Sequence, residues 1–317
     1  HLMGRAGSLP FIQYLQAKTT VDDRALNRHV LSTLQLELRN IEPNSPLNIL
    51  EIGAGIGTMI MRLHDWQILP SSEYTAVDID PELTREGRRQ LGRYALKNSL
   101  APGCGLAREI LLQSEKSQLS VDFVTEDGLE YCQRESSRGR FDLLIAHAFM
   151  DLVDLPTAIP ILLDALEPSG LFYFTLVFDG VTHFEPPIDP ALDVHIESLY
   201  HQTIEERSID SKPSGDPHSG RHLLGELLKN KADILAAGAS DWLVHPTSGR
   251  YPAQEAQFLH HILNTIEDAL KGGDELDQDQ FSGWLQKRRE QVDSGDLVYL
   301  SHQIDILGRR NLSHNPN

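Results

Sequence analysis

Three glycines at alternate positions, Gly53, Gly55 and Gly57, directly follow the apolar run from Leu47 to Ile52. A short apolar run that ends in a turn is typical of a strand buried on both faces of a parallel sheet. Glycines in such a turn let the backbone approach a ligand closely and hold it at the start of the next helix. The segment therefore predicts a strand–turn–helix unit with a ligand bound at the turn.

The chain downstream repeats this alternation of strand and helix. Further strands are predicted at 74–79, 121–125, 141–146 and 171–178, separated by helices at 58–63, 81–97, 128–135 and 158–166. Units of this length indicate a doubly wound α/β domain, in which helices cover both faces of a mostly parallel sheet.

The pattern changes on both sides of this core. Proline and glycine become frequent after residue 179, whereas apolar residues recur at helical spacing between 259 and 270. A helix at 221–236 and strands at 241–245 and 297–306 are expected to extend the sheet. The predicted segments are an N-terminal helical segment at 4–45, a core at 46–180, a substrate-side loop insertion at 181–220, the completion of the sheet at 221–246 and 296–310, and a helical lid at 251–292.

Acidic residues stand at the ends of three predicted neighbouring strands. Glu51 precedes the first glycine by two residues and suits a cationic amine, while Asp78 can accept hydrogen bonds from both hydroxyls of a ribose. Asp127 is placed to contact an adenine amino group. Thr58 interrupts the G-x-G-x-x-G pattern of dinucleotide-binding turns. Because the carboxyl ends of parallel strands share one edge, these residues predict a pocket for a positively charged adenosine derivative without phosphate.

The three motifs together resemble those of class I S-adenosylmethionine-dependent methyltransferases. They are Glu51-Ile-Gly-Ala-Gly-Ile-Gly57, Ala76-Val-Asp-Ile-Asp-Pro-Glu82 and Thr125-Glu-Asp-Gly128, in that family's order and spacing. The resemblance implies a seven-stranded sheet, whose last strand is antiparallel and inserted between its two predecessors. It also implies S-adenosylmethionine as the cofactor and methyl transfer to a small-molecule nucleophile with an O, N or C acceptor atom.

The resemblance assigns roles to individual residues. Asp78 would hold the ribose, Ile79 would pack on the adenine, and Asp127 would take the adenine amino group. The residues expected to bind the cofactor are Glu51, Gly53, Ala54, Gly55, Gly57, Asp78, Ile79, Asp127, Gly128 and His147.

The acceptor side is marked by residues that follow the fourth and fifth strands. His147 and His183 are candidate general bases, provided that a hydroxyl or amine substrate lies within hydrogen-bond reach. A cofactor-contacting or structural role for His147 stays open, as does a surface role for His183 and Glu185. The residues expected on the substrate side are Phe149, Asp179, His183 and Glu185.

Charge limits the partners of this chain. Its 28 basic and 46 acidic residues give a formal net charge of -18, which would repel a nucleic-acid backbone. No apolar run reaches about 18 residues, so no membrane span is expected. Two cysteines and the lack of a signal peptide favour a cytoplasmic location. The histidine spacings fit no metal site, and a homodimer is left open.

Two other functions remain open at this level. One is a nicotinamide-dependent oxidoreductase on a similar sheet, although the phosphate-binding glycine pattern is missing. The other is a protein that binds S-adenosylmethionine without turnover. The sequence identifies neither the methyl acceptor, nor the methylated atom, nor the need for a general base.

Overall fold

The computed structural model describes residues 9–311, except 42–44, 99–108, 115, 206–207, 210–211 and 214–215. Its strands are β1 Leu47–Ile52, β2 Ser72–Asp78, β3 Ile110–Gln113, β4 Gln118–Thr125, β5 Phe141–His147, β6 Leu166–Glu185, β7 Ser208–Ile209, β8 Lys212–Pro213, β9 Asp233–Ala239, β10 Trp242–Val244 and β11 Val298–Arg309. Its α-helices are α1 Leu9–Ala17, α2 Thr19–Ala25, α3 Arg28–Asn40, α4 Thr58–Asp65, α5 Pro81–Asn98, α6 Gly128–Gln133, α7 Leu155–Ala165, α8 Pro190–Glu205, α9 Ser219–Lys229, α10 Glu255–Leu270 and α11 Gln278–Ser294.

A nine-stranded sheet organises the molecule. Its order is β3-β4-β2-β1-β5-β6-β11, and both β9 and β10 pair with the far side of β11. The strands β4, β2, β1, β5 and β6 are parallel to one another, whereas β11 runs antiparallel between β6 and β9. The doubly wound sheet with an inserted antiparallel last strand is thus confirmed. The sheet has nine strands rather than seven because β3 and β9 are present in addition to the seven predicted strands.

Burial on both faces explains the apolar central strands. Ile49 packs in the core on one face of β1 and Leu50 in the core on the other, and both are inaccessible to solvent. Such two-sided burial requires the continuous apolar run seen in β1.

The segment at 181–220 is not one loop, contrary to the sequence prediction. Strand β6 continues to Glu185, and helix α8 begins at Pro190. Proline is tolerated in the first turn of a helix, where its missing N–H has no intrahelical partner. Ile196, Tyr200 and Ile204 follow at a spacing of four and are buried in the core, which stabilises the helix. Several residues between 206 and 215 lie outside the described part of the chain.

The predicted helix at 221–236 is wrong in its second half. Helix α9 ends at Lys229, and residues 233–236 belong to β9, which pairs with β11. Alanine favours helices, but backbone pairing to β11 overrides that weak preference here. The strand predicted at 241–245 is the shorter β10.

The N-terminal helices and helix α10 pack against the core. In the predicted segment 4–45, residues 4–8 and 42–44 lie outside the described part, and the rest forms α1, α2 and α3. Helix α10 buries Phe258 and Leu259 in the same core as α3 and β1. Arg24 of α2 donates to Glu255 of α10 across 2.7 Å. Within the described residues, no helix is both long and apolar enough to cross a membrane.

Candidate functional site

Two adjoining cavities lie beside the carboxyl ends of the parallel strands. The first, here called the glycine-turn cavity, has a volume of about 200 Å³, and the second, the aromatic cavity, has about 120 Å³. Their shared wall is formed by Phe11, Leu15, Lys18, Ala148 and Leu152. Because these residues line both spaces, the two cavities adjoin each other along this wall.

Most of the predicted cofactor residues meet in one place. The structure brings together, along the glycine-turn cavity, Glu51, Gly53, Ala54, Gly55, Asp78, Ile79, Asp127, Gly128 and His147. Gly57 does not line this cavity. Its φ of 78° begins α4 in the left-handed region, and a Cβ there would lie 2.9 Å from the Phe123 ring. Gly57 therefore serves the local backbone and packing.

The turn after β1 needs glycine for backbone reasons. Gly53 and Gly55 have φ values of 64° and 55°, in the region that side chains disfavour. At Gly53 a Cβ would lie 2.4 Å from the ring of Phe149, whereas at Gly55 the nearest atom would be Leu15 Cδ1 at 3.6 Å. The absence of a side chain at Gly55 thus keeps the cavity wall open.

Asp78 is held firmly at the end of β2. Its Oδ2 accepts a hydrogen bond from the Gly55 N–H at 2.8 Å, and its Oδ1 accepts one from the Asp80 N–H at 2.9 Å. Burial raises the pKa of Asp78, and the two backbone donors oppose that effect. The carboxylate links the glycine turn to β2 and presents its oxygens beside the cavity.

Asp127 and Ile79 lie at the same cavity in different surroundings. Asp127 caps helix α6, with Oδ1 accepting from Leu129 N–H and Glu130 N–H at 2.9 Å each. The cap does not use Oδ2. The Ile79 side chain is 66% exposed although it lines the cavity, so a flat ligand group there would cover apolar surface.

Glu51 is a buried acid with one neutral partner. Its Oε2 accepts a hydrogen bond from the Tyr74 hydroxyl at 2.7 Å, and the residue is 1% exposed. Burial raises the pKa of Glu51 to about 8 and outweighs the opposing hydrogen bond. A cationic group bound in the cavity would restore the ionised form.

His147 connects the N-terminal helices to the end of β5. Its Nδ1 lies 2.7 Å from Thr175 Oγ1, and its Nε2 lies 3.2 Å from Asp22 Oδ2. Burial lowers the pKa of His147 to about 4, although Asp22 opposes the shift, so the imidazole is neutral near pH 7. Both ring nitrogens are engaged within the protein, an arrangement that suits positioning better than proton abstraction.

Asp22 serves several buried partners at once. It also accepts from Trp242 Nε1 at 2.9 Å and pairs with Lys18 Nζ at 3.2 Å. Burial alone would raise the pKa of Asp22, but Lys18 and His147 together hold it below its usual range. The ionised carboxylate thus neutralises Lys18, which stands in the shared wall.

Three of the predicted substrate residues lie outside both cavities. Asp179 pairs with Arg221, whose Nε donates across 3.0 Å. His183 lies 3.2 Å from each of Glu185 and Glu197, and its side chain is 48% exposed. Asp179, His183 and Glu185 therefore line neither cavity, and their place on the substrate side stays a prediction. Phe149 lines the glycine-turn cavity instead of the aromatic one.

The course of β6 explains this difference. Successive side chains of a strand point to opposite faces, so the face that carries Phe178 and Thr182 toward the aromatic cavity turns His183 away. Leu176 has a φ of 52° at a register irregularity between β6 and β11, and a second irregularity follows before Thr182. Bulges of this kind cannot be read from the sequence pattern alone.

The aromatic cavity contains residues that the sequence analysis missed. They come from α1, α8, α10 and β11 and include Tyr14, Tyr200, Ile262, Tyr299, Ser301 and Gln303. Residues 299, 301 and 303 alternate along a strand that the sequence places beside β6, so they share one face of it. This alternation is the one signal in the sequence that could have indicated them. Within the described part of the chain, no cluster of histidine, cysteine and acidic residues could hold a metal ion.

Comparisons with known proteins give similarity of fold only. No protein-family model matches the chain, and no curated protein sequence matches it. A putative sarcosine dimethylglycine methyltransferase from Galdieria sulphuraria has a TM-score of 0.41 at 14% identity, covering 90% of this chain and 86% of its own.

Two further solved structures are similar to the same extent. A geranyl diphosphate C-methyltransferase from Streptomyces coelicolor A3(2), in complex with Mg²⁺, geranyl diphosphate and S-adenosyl-L-homocysteine, has a TM-score of 0.40 at 11% identity over 88% of this chain and 78% of its own. The (4+2)-cyclase SpnF has 0.41 at 12% identity over 89% and 82%.

Proposed function

We propose that this protein transfers a methyl group from S-adenosylmethionine to a small molecule bound in the aromatic cavity. The observation that carries the proposal is the wall shared by the two cavities, formed in part by Lys18, Ala148 and Leu152. A donor in one space and an acceptor in the other would lie next to each other along this wall.

The glycine-turn cavity fits this cofactor in charge and shape. Glu51 is a buried carboxyl group, and among the described residues it forms no ion pair, which suits the amino group of the methionine part. Asp78 is fixed by two backbone donors and suits the ribose hydroxyls. Thr58 interrupts the glycine pattern that binds a pyrophosphate, which argues against a nicotinamide dinucleotide.

The protein's own contribution is alignment and the exclusion of water. When bound, S-adenosylmethionine supplies an electrophilic methyl group on a sulfonium. Phe11 and Leu15 of α1 and Leu152 would shield the junction of the cavities from solvent, which favours a transfer whose main requirement is orientation. Neutral His147, fixed by Asp22 and Thr175, would hold the end of β5 against the cofactor.

A hydroxyl or amine acceptor must also lose a proton. Asp151 is the one carboxylate among the described residues that line the aromatic cavity, and it stands between Ala148 and Leu152 of the shared wall in the sequence. We assign the acceptance of this proton to Asp151, because His147 has both ring nitrogens engaged.

The test is turnover with methyl-labelled S-adenosylmethionine and a panel of small hydroxyl, amine and carbon nucleophiles. We expect S-adenosylhomocysteine to form with at least one acceptor, and Asp151→Asn to lower kcat while leaving cofactor affinity intact. Cofactor binding without turnover across the panel would favour a binding protein. Binding of NADH in place of S-adenosylmethionine would favour an oxidoreductase.

A further inference from the structure

Aromatic rings dominate the wall of the aromatic cavity. They are Phe11, Tyr14, Phe178, Tyr200, Trp242 and Tyr299. Flat apolar walls favour a ligand that is itself flat and apolar, because ring stacking and edge contacts add to the burial of apolar surface. The aromatic cavity is also smaller than the glycine-turn cavity, at about 120 Å³ against about 200 Å³. A ligand smaller than the cofactor is therefore indicated.

The charges that line this cavity disfavour an anion. Lys18 is the one cationic residue among its described lining residues, and it is already paired with Asp22 at 3.2 Å. Its ammonium also lies 5.7 Å from the centre of the Trp242 ring. A phosphate would find no free counter-charge and would meet the Asp151 carboxylate, which lines the same cavity.

Gln303 contributes a buried side-chain acceptor to this cavity. The residue is 3% exposed, and its Oε1 has no hydrogen-bond partner among the described residues. Its backbone is fixed, since its N–H donates to Asp241 and its carbonyl accepts from the Ser240 N–H at 2.8 Å. A buried acceptor without a donor is costly, and a ligand that supplies the donor removes that cost.

The neighbouring hydroxyl groups do not compete for this role. Tyr299 forms hydrogen bonds with Ser301 and Thr182, and Ser301 lies opposite Thr182 in the β11–β6 pairing. These three side chains thus satisfy one another. Gln303 Oε1 therefore offers a neutral acceptor to a donor on the ligand, in addition to the Asp151 carboxylate.

We propose that the acceptor is a ring-bearing small molecule without an anionic group, whose O–H or N–H group donates a hydrogen bond to Gln303 Oε1. This inference rests on the proposed function in one respect, namely that the bound molecule is the methyl acceptor. The preference of the cavity for such molecules is a separate property that binding alone can measure.

The test uses four probes that share a 4-methylphenyl group: p-cresol, p-xylene, p-tolyl phosphate and 4-methylbenzylammonium. Each is titrated by ligand-observed NMR or calorimetry into the wild-type protein, with and without S-adenosylhomocysteine, and into Gln303→Leu and Gln303→Met. Gln118→Leu is the matched control, since Gln118 is exposed on β4 and outside the cavity. The methionine variant keeps the side-chain length if the leucine variant fails to fold.

We expect p-cresol and 4-methylbenzylammonium to bind more tightly than p-tolyl phosphate. Removal of Gln303 Oε1 should lower the affinity of p-cresol relative to p-xylene by about tenfold, and Gln118→Leu should leave this ratio unchanged. Tighter binding of p-tolyl phosphate, or an unchanged ratio in the folded Gln303 variants, would overturn the inference. Failure of S-adenosylhomocysteine to bind would overturn the proposed function instead, and the titrations without it would still measure the preference of the cavity.

Discussion

His147 Nε2 lies 3.2 Å from Asp22 Oδ2, so the carboxyl end of β5 is joined to helix α2 through two buried side chains. Lys18 and Trp242 converge on the same carboxylate from α1–α2 and β10. The N-terminal helices are therefore built into the site, and their residues Phe11, Leu15 and Lys18 line both cavities.

Replacing Asp22 by Asn should strongly destabilise the fold. The change keeps the shape but leaves the Lys18 ammonium buried without its counter-charge, which costs about 3 kcal/mol or more of the free energy of unfolding. Denaturant unfolding measures this loss. Asp293→Asn is the control, because the 71% exposed Asp293 pairs with His260 at the surface and should cost no more than about 0.5 kcal/mol. Equal effects of the two substitutions would show that the Asp22 cluster contributes little.

Cofactor affinity should rise with pH between pH 6 and pH 8. In the ligand-free protein the pKa of Glu51 is about 8, so a bound amine cation must displace a proton below that pH. The dissociation constant of S-adenosylhomocysteine should then fall by up to about tenfold per pH unit and level off above pH 8. Calorimetry in buffers of different ionisation enthalpy would detect the released proton. Glu51→Gln should remove most of the pH dependence, and a wild-type affinity independent of pH would refute the pairing of Glu51 with a cation.

A side chain at position 55 should block the glycine-turn cavity. Gly55→Val places a β-branched residue at a φ of 55°, a strain of roughly 1–3 kcal/mol, and directs methyl groups toward Leu15 in the cavity wall. We expect the variant to fold with reduced stability and to lose S-adenosylhomocysteine binding. Gly92→Val on helix α5 is the control, since a Cβ there meets no atom within 4 Å. Normal binding by folded Gly55→Val would place the cofactor elsewhere.

The strand-end residues could be predicted because their positions follow from local patterns. An apolar run and a glycine turn fix where β1 ends, so the location of Glu51, Gly53 and Gly55 at the carboxyl end of β1 follows without knowledge of the packing. The aromatic cavity depends on contacts between distant parts of the chain, such as Tyr14 of α1 with Phe258 of α10. Bulges in β6 decided which of its side chains face this cavity, and no periodicity reports a bulge.

Filling the aromatic cavity should abolish turnover of the acceptor without impairing cofactor binding. Ile262 of α10 lines it and is 3% exposed, so Ile262→Phe must direct the added volume into the space or strain the core by about 1–3 kcal/mol. We expect S-adenosylhomocysteine affinity within about twofold of wild type and loss of acceptor turnover. Ile262→Val should preserve both. Loss of cofactor binding in folded Ile262→Phe would mean that α10 supports the donor side.

The most direct measurement is calorimetric titration of S-adenosylhomocysteine and, separately, NADH into the wild-type protein and Asp78→Ala. We expect one S-adenosylhomocysteine to bind per chain and NADH not to bind. Loss of the Asp78 carboxylate should weaken S-adenosylhomocysteine by about 1–3 kcal/mol, because two buried ribose hydroxyls would lose a charged acceptor. Asp122→Ala, outside both cavities, should bind as the wild type does. Unchanged affinity in folded Asp78→Ala, or binding of NADH but not of S-adenosylhomocysteine, would contradict the proposed cofactor site.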